Sequence, residues 1–282
     1  MRLVRFGPKG QEKPGALDGT GTLRDLSGVA GAFAGPGVGF AALEALKGID
    51  LSAQPAVDGD VRLGSALADV PNFYAIGLNY AEHAKESGAT PPAEPIVFSK
   101  ATSTLAGPFD PIVIPLDSVK TDWEVELGVV IGRDCAHVSE AAALSVVSAY
   151  CTVNDVSERT WQLERGGQWI KGKSAPGFGP VGPWLVTADE VADPQALALE
   201  LSVNGATQQK SSTADMIFGV AEIISYMSRH MELRAGDLIA TGTPEGVGMG
   251  QSPQRYLVPG DVVEVEVAGL GRQKTPVLAY PG

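Results

Sequence analysis

The stretch TDWEVELGVVIG, residues 121–132, places two acidic residues inside an apolar run. Its β-branched content and short length predict a β-strand. Successive side chains of a strand point to opposite faces, so Glu124 and Glu126 share one face, roughly 6–7 Å apart along the chain. Burying two unpaired carboxylates is costly. This face is therefore either exposed to water or in contact with positive charge.

The composition is that of a globular protein with a sizeable core. The chain has 282 residues, of which 44% are hydrophobic and 19% are charged. No run approaches the ~18 apolar residues that a membrane-spanning helix needs, so no membrane association is expected. The first residues lack the apolar centre of a secretion signal, and we therefore expect a cytoplasmic location.

The charge balance argues against a nucleic-acid partner. The formal net charge is −12, from 33 acidic and 21 basic residues, and no basic tract stands out in the sequence. A negative protein does not attract an anionic substrate over a long distance. Any such substrate must be bound by cations within the site itself.

The distribution of turn residues and strand-like runs predicts two domains. Residues 1–70 form a small N-terminal domain, which includes a hairpin with its turn at Asp18-Gly19, and LSAQPAVDGD is a plausible boundary. Residues 71–282 contain many short strand-like runs separated by glycine and proline. Helices are predicted at residues 139–149 and 219–230, the first with Ser139 as its N-cap. The fold class is α+β and strand-dominated.

One formal motif match is rejected. GQWIKGKS, residues 167–174, fits the pattern of a phosphate-binding loop, but that loop needs a buried strand before it and a helix N-terminus after it. Here the preceding residues are polar and helix-like. The following residues, APGFGPVGP, are too rich in proline and glycine to start a helix.

A third carboxylate could complete a metal site. Asp155 follows the apolar run AYCTV, and the simplest interpretation makes it a helix N-cap, with Glu158 three residues later. The corresponding alternative for Glu124 and Glu126 is a solvated strand face. If the three acids meet instead, they form an all-oxygen site, which suits Mg²⁺ or Mn²⁺ better than zinc.

Other candidate functional residues are weaker when taken alone. His83 precedes Glu86 by three residues, so on a helix the carboxylate could orient and charge the imidazole; the alternative is a solvated helix. Lys173 lies in a segment rich in glycine and proline. Thr241 and Thr243 lie in ATGTPEGVG, where hydroxyl and backbone N–H groups could bind a carboxylate.

Six motifs in a fixed order resemble the fumarylacetoacetate hydrolase family. They are GLNYAEHAKE, VFSKATSTLAGP, DWEVELGVVIG, VNDVSERTWQ, KGKS followed by GPVGPWLVT, and IATGTPEGVG. The resemblance extends from about residue 72 to the C-terminus. Residues 1–70 resemble the variable N-terminal unit of bacterial members.

The resemblance implies a mixed β-sheet roll around a divalent ion, Mg²⁺ or Mn²⁺, usually in a homodimer. The residues that it implies for the site are the metal ligands Glu124, Glu126 and Asp155, the catalytic residues His83, Glu86 and Lys173, and the substrate-binding residues Lys100, Gln162 and Thr243. The histidine and its carboxylate would lie on a segment that orders as a lid.

The predicted function is metal-dependent hydrolysis of a C–C bond in a 2,4-diketo acid, a small anionic 2-oxo acid substrate. Pro176-Gly177 stands where many members have Asp-Thr, and the GKSAP variant is similar to the branch that acts on 2,4-diketo-3-deoxy sugar acids. Alternatives on the same fold are oxaloacetate decarboxylase, ureidoglycolate lyase and 2-hydroxyhepta-2,4-diene-1,7-dioate isomerase. A nucleotide-binding protein or a catalytically inactive binding module are alternatives of another class.

Overall fold

The computed structural model describes all 282 residues, and its elements are mostly short strands. The strands are β1 Arg2–Phe6, β2 Lys13–Leu17, β3 Leu23–Asp25, β4 Phe73–Gly77, β5 Ile96–Lys100, β6 Leu105–Ala106, β7 Ile112–Val113, β8 Thr121–Asp122, β9 Val125–Ile131, β10 Val147–Asn154, β11 Ser157–Glu158, β12 Gly179–Pro180, β13 Leu185–Thr187, β14 Ala198–Val203, β15 Ala206–Ser212, β16 Leu238–Ala240, β17 Val262–Val267 and β18 Gly271–Leu278. The α-helices are α1 Phe40–Lys47, α2 Ala81–Glu86, α3 Glu140–Ala143, α4 Arg159–Leu163, α5 Ile170–Lys173 and α6 Val220–His230.

Two mixed sheets form the body of the protein. The larger has nine strands in the order β3-β2-β1-β13-β10-β9-β16-β4-β5, and the smaller has five in the order β15-β14-β17-β18-β7. Most neighbours are antiparallel, but β16 pairs with β4 and β18 pairs with β7 in parallel. The predicted strand-dominated α+β fold with mixed sheets is confirmed.

Strand β9 separates the core from the candidate site. Its residues 125, 127, 129 and 131 belong to the cluster that also contains residues 199 and 201 of β14 and 263, 265 and 267 of β17, so this face packs against the smaller sheet. Alternation then directs Glu124 and Glu126 to the opposite face. That face is nevertheless buried, since the two side chains are only 4% and 1% exposed. Of the two alternatives for this face, exposure to water is therefore wrong.

The first predicted helix is mostly wrong and the second is confirmed. Residues 140–143 are helical, with Ser139 at the N-cap position but without a side-chain capping bond. A 3₁₀ turn follows over 144–146, and β10 begins at Val147. The β-branched residues at 146 and 147 and the pairing of β10 with β9 override the local helix preference. Helix α6 begins one residue after Gly219 and ends at His230, close to the prediction.

The first 70 residues continue the large sheet. Strand β1 pairs antiparallel with β13, and β2 and β3 form the predicted hairpin with Leu17 opposite Leu23. The core on this side combines Leu3, Leu26 and Phe33 with residues of β4, β9 and β10. The boundary between residues 70 and 71 stays a prediction, and the segment before it shares its sheet and its core with the segment after it.

No helix in the structure has both the length and the apolar character needed to cross a membrane.

A partly buried cluster of ion pairs joins the N-terminal segment to the rest of the protein. The Arg62 guanidinium donates to both carboxylate oxygens of Asp110, from Nε to Oδ1 at 2.8 Å and from Nη2 to Oδ2 at 2.6 Å. Its Nη1 also donates to Glu12 Oε1 at 2.8 Å. Burial alone would raise the pKa of Asp110, but hydrogen bonds from Arg62 and from the Gly107 N–H lower it below the usual value.

We predict that Asp110→Asn lowers the free energy of unfolding by about 1–2 kcal/mol at pH 7, the usual worth of hydrogen bonds to a charged group. A carboxyl whose pKa is lower in the folded state stabilises the fold above its unfolded pKa of about 3.9, and this contribution is lost as the pH falls through the folded value. The difference in unfolding free energy between the parent protein and Asp110→Asn should therefore be largest at pH 7 and become smaller below about pH 4. Urea unfolding at several pH values measures it.

Asp60→Asn is the matched control, because Asp60 is exposed and makes no side-chain hydrogen bond or ion pair. It should change the unfolding free energy by less than about 0.5 kcal/mol. Equal effects of the two substitutions would show that the Arg62 cluster does not stabilise the junction.

Candidate metal and substrate site

The carboxylate cluster forms where the β9–β10 ladder continues past its last paired residues. Val125 lies opposite Asn154, and beyond them the N–H of Asp155 donates to the carbonyl of Glu124 at 2.9 Å. The Glu124 N–H donates to Asn154 Oδ1 at 3.1 Å. Antiparallel pairing thus brings Glu124 and Asp155 directly opposite each other. Ligand atoms of Glu124, Glu126 and Asp155 all lie within 4.8 Å of one another.

Three buried cations face these carboxylates. Lys173 Nζ bridges Glu124 Oε2 at 2.7 Å and Asp155 Oδ2 at 2.8 Å. Arg159 Nη1 contacts Glu124 Oε1 at 2.7 Å. Lys100 Nζ donates to Asp155 Oδ1, and its own side chain is fully buried. These three side chains supply positive charge to the buried face.

The protonation preferences follow from this arrangement. Burial would raise the pKa of Glu124, but Lys173 and Arg159 lower it to about 2. The pKa of Glu126 is raised well above its usual value, by burial first and then by the negative charges of Asp155 and Glu124. For Lys173 the two carboxylates outweigh burial and raise the pKa. Burial lowers the pKa of Lys100.

Glu126 is the carboxylate without a cationic partner. Its Oε2 accepts the Gly242 N–H at 2.7 Å, and Oε1 makes no hydrogen bond within the protein. Counting Asp122, which pairs with Arg159 at 2.8 Å, four buried carboxylates face three buried cations. The cluster therefore lacks positive charge, and its deficit lies among oxygen ligands. These residues fit a hard divalent cation such as Mg²⁺ or Mn²⁺.

The one-turn helix α5 places Lys173 because of a glycine. A side chain at Gly172 would lie 2.5 Å from the backbone of Gln162 and of Glu158, so only glycine lets α5 pack this closely on α4. No strand precedes this segment, since α4 occupies residues 159–163. A phosphate-binding loop requires such a strand, and the Nζ of Lys173 is engaged by carboxylates.

His83 and Glu86 form the predicted pair on α2. His83 Nδ1 lies 2.8 Å from Glu86 Oε1, and the second carboxylate oxygen accepts the Gly246 N–H at 2.9 Å. The Glu86 side chain is thus held in place by the backbone of the 241–250 loop. Because Nδ1 faces the carboxylate, Nε2 is the nitrogen available for proton transfer. The alternative of a solvated helix is wrong at this position, since His83 is 6% exposed.

A cavity of about 190 Å³ is lined by His83, Lys173 and two of the three carboxylates, Glu124 and Glu126. Its polar and charged lining residues are His83, Ser87, Glu124, Glu126, Arg159, Gln162, Lys173 and Thr243. Thr243 Oγ1 accepts a hydrogen bond from Gln209 Nε2 at 2.8 Å, which leaves its proton free for a ligand. Thr241 instead donates to the Leu127 carbonyl and is buried. Lys100 is not in the lining and lies behind Asp155, where it also donates to the Val156 carbonyl at 3.2 Å.

Two of the acid interpretations are corrected by the geometry. Asp155 does not cap a helix, because the side chain that caps α4 is Glu158, which accepts the Trp161 N–H at 2.7 Å. Glu124 and Glu126 are not on a solvated face. Glu124, Glu126 and Asp155 instead belong to one buried cluster.

Sequence reasoning missed Arg159, Asp122 and Gln209. The signal for Asp122 was present, because residues 122, 124 and 126 alternate along one strand face. Arg159 lies one helical turn before Gln162, and its Nη1 donates to Gln162 Oε1 at 3.0 Å. Its Nη2 is buried without a hydrogen-bond partner. No local pattern identifies Gln209, which comes from the opposite sheet and also accepts the Val125 N–H at 3.0 Å.

Comparisons with known proteins show the family of this chain. The family model described as fumarylacetoacetate (FAA) hydrolase C-terminal matches residues 72–278. A protein of Burkholderia multivorans named "Putative hydrolase" is 54% identical over 274 residues, covering 97% of both chains.

Solved structures extend the likeness to nearly the whole chain. The fumarylacetoacetate hydrolase of Exiguobacterium antarcticum is 35% identical with a TM-score of 0.85, over 99% of this chain and 100% of that one. The 2-hydroxyhepta-2,4-diene-1,7-dioate isomerase of Mycobacterium marinum is 32% identical with a TM-score of 0.80, over 100% of both. With a family match over most of its length, this chain belongs to the fumarylacetoacetate hydrolase family.

Proposed function

We propose that the protein is a divalent-metal-dependent hydrolase that cleaves a C–C bond of a 2,4-diketo acid, releasing pyruvate and a carboxylic acid. One observation carries the proposal: His83, which is paired with Glu86, lines the same small cavity as Glu124 and Glu126 of the three-carboxylate cluster. Isomerisation or decarboxylation of a 2-oxo acid needs no water-activating base.

Glu124, Glu126 and Asp155 would hold the ion. When bound, a divalent cation supplies positive charge that polarises a 2-oxo carboxylate and stabilises enolate character. The protein's own cations add to this effect, since Lys173 and Arg159 both line the cavity. The unpaired Nη2 of Arg159 and the hydroxyl proton of Thr243 are donors for the substrate carboxylate or carbonyl oxygens.

The hydrolytic step uses His83 as the base. Nε2 takes a proton from water, whose oxygen bonds to the C4 carbonyl carbon of the substrate. The C3–C4 bond then breaks, and its electron pair remains on C3 as the enolate of pyruvate. The proton held by His83 is delivered to C3, which gives pyruvate, while C4 leaves as the carboxylic acid. Glu86 orients the ring and stabilises its charged form.

A thermal-shift experiment separates this proposal from nucleotide binding. Oxalate resembles the enolate of pyruvate, so Mg²⁺ with oxalate should raise Tm by several degrees, while oxalate without metal should not. ATP should have no effect, because Lys173 is engaged by carboxylates. A shift with ATP alone would reverse the rejection of the phosphate-loop motif.

Two single ligand substitutions should differ in the metal-free protein. Glu124→Gln removes the partner of Lys173 and Arg159 and should lower the unfolding free energy by about 3 kcal/mol, the typical cost of breaking a buried pair. Glu126→Gln removes a carboxylate without a cationic partner and should be neutral or stabilising. Urea unfolding in EDTA measures both values.

Both variants should lose Mg²⁺ or Mn²⁺ binding in calorimetric titration, and both should lose turnover. If either binds the ion with the affinity of the parent protein, that residue is not a ligand. Retained turnover after complete removal of metal would contradict the metal-dependent mechanism itself.

Substitution of the base should separate hydrolysis from decarboxylation. His83→Ala should lower acylpyruvate hydrolysis by about 10²–10⁴-fold, the usual contribution of a general base. Any oxaloacetate decarboxylation should fall much less, because it needs no attacking water. Glu86→Ala should resemble His83→Ala, and the double variant should be little worse than either, since the two residues act as a unit.

Steady-state rates on both substrates, with pyruvate quantified as product, provide the measurement. An unchanged hydrolysis rate in His83→Ala would remove this residue from the mechanism and favour a lyase or decarboxylase.

A further inference from the structure

The cationic groups of the cavity are concentrated at the carboxylate cluster. The fixed positive charges in the lining belong to Arg159 and Lys173, and both contact Glu124. The remaining polar lining residues are His83, Ser87, Gln162 and Thr243, which carry no fixed positive charge. The apolar wall of the cavity consists of Ile76, Leu78, Phe98, Leu163, Trp169 and Met249. A substrate carboxylate therefore has cations to bind at one part of the cavity and none along the other.

The apolar wall is held in place by close packing. Trp169 packs edge-on against Phe98, with ring centroids 5.2 Å apart and an interplanar angle of 66°. The Trp169 ring also covers Gly77 at the end of β4, where a Cβ atom would lie 2.4 Å from the ring. A side chain at residue 77 would displace the indole. The Lys173 Nζ lies 5.2 Å from the Phe98 ring centroid, so Phe98 lies where the apolar wall meets the carboxylate cluster.

No other lysine or arginine lines the cavity. Lys171 donates to the Arg165 carbonyl, and Lys85 pairs with Glu82 at 3.2 Å; neither lines the cavity. The net charge of the chain is −12. A second substrate carboxylate at the apolar wall would thus have no lysine or arginine to pair with, in a negatively charged protein, which is costly.

We infer that the physiological substrate is a monocarboxylic 2,4-diketo acid whose tail beyond C4 is short and uncharged. This inference rests on the proposed function and deepens it. An alkyl or hydroxyalkyl tail would place its C–H groups against Trp169 and Phe98. The cavity of about 190 Å³ is smaller than the ~300–1,000 Å³ of sites for drug-sized ligands, so the tail is short. Dicarboxylic 2-oxo acids, including the dioate named for the isomerase relative, would be discriminated against.

The test compares two substrates that differ only at the end of the tail. Crotonylpyruvate ends in a methyl group, and fumarylpyruvate carries a carboxylate at the same position. With Mg²⁺ present, the wild-type protein should favour crotonylpyruvate by roughly 10²-fold or more in kcat/KM, because an uncompensated charge in a cavity is strongly disfavoured. Pyruvate release measures both reactions.

A positive charge introduced into the apolar wall should lower the ratio of kcat/KM for crotonylpyruvate to kcat/KM for fumarylpyruvate. Leu163 lines the cavity and is 43% exposed, so Leu163→Arg can be accommodated and should reduce the preference by about tenfold or more. Leu144→Arg is the matched control. Leu144 is 45% exposed and lies outside the cavity, so the same change in net charge should leave the ratio unaltered.

The outcomes distinguish the inference from the proposed function. If the wild-type protein hydrolyses fumarylpyruvate as well as crotonylpyruvate, the inference is wrong and the hydrolase assignment stands. If Leu163→Arg and Leu144→Arg change the ratio equally, the wall does not determine the selectivity. If neither substrate is cleaved with Mg²⁺ or Mn²⁺, the proposed function fails, and the inference fails with it.

Discussion

The compensation of buried carboxylates by buried cations is the constraint on which the rest of this structure depends. Asp122, Glu124, Glu126 and Asp155 are each less than 5% exposed, and isolated charges cannot be buried without a large cost in free energy. Lys100, Arg159 and Lys173 supply most of the compensation. The remaining negative charge is concentrated at Glu126, the carboxylate with no cationic partner. A buried cluster of oxygen ligands that lacks positive charge is suited to binding a divalent ion.

The cations arrive from separate parts of the chain, and this explains why several irregular segments are so closely packed. Lys100 comes from the end of β5, Arg159 from α4 and Lys173 from α5. Helices α4 and α5 have five and four residues and could not form in isolation, because a single helical turn does not offset the cost of nucleation. Their ion pairs and their mutual packing at Gly172 stabilise them within the folded protein. The ion pairs of Arg159 and Lys173 and the short helices α4 and α5 therefore depend on each other.

The candidate site is supported in two ways. Its carboxylate cluster lies at the end of the central strands of the large sheet, where β9 is paired on both sides. The His83–Glu86 pair is held from the 241–250 loop through the N–H of Gly246, and Thr243 is held from the smaller sheet through Gln209. In the proposed function, binding of the ion, activation of water and binding of the substrate carboxylate would thus rely on different elements that meet at this cavity. The apolar wall around Trp169 would then select the tail of the substrate.

The sequence by itself determined the strand-dominated α+β class, the hairpin after β1, the helix at 220–230 and the His–Glu pair, because these depend on short-range periodicity and turn chemistry. It could not determine where the helix after Ser139 ends, since the pairing of β10 with β9 overrides local preference. The sequence also could not distinguish two similar patterns of glutamates alternating with apolar residues. Glu264 and Glu266 alternate with valine in β17 just as Glu124 and Glu126 alternate around β9, yet the β17 pair lies on a partly exposed face with Arg272. Only the tertiary structure decided which pair is buried, because burial and charge compensation depend on residues distant in the chain.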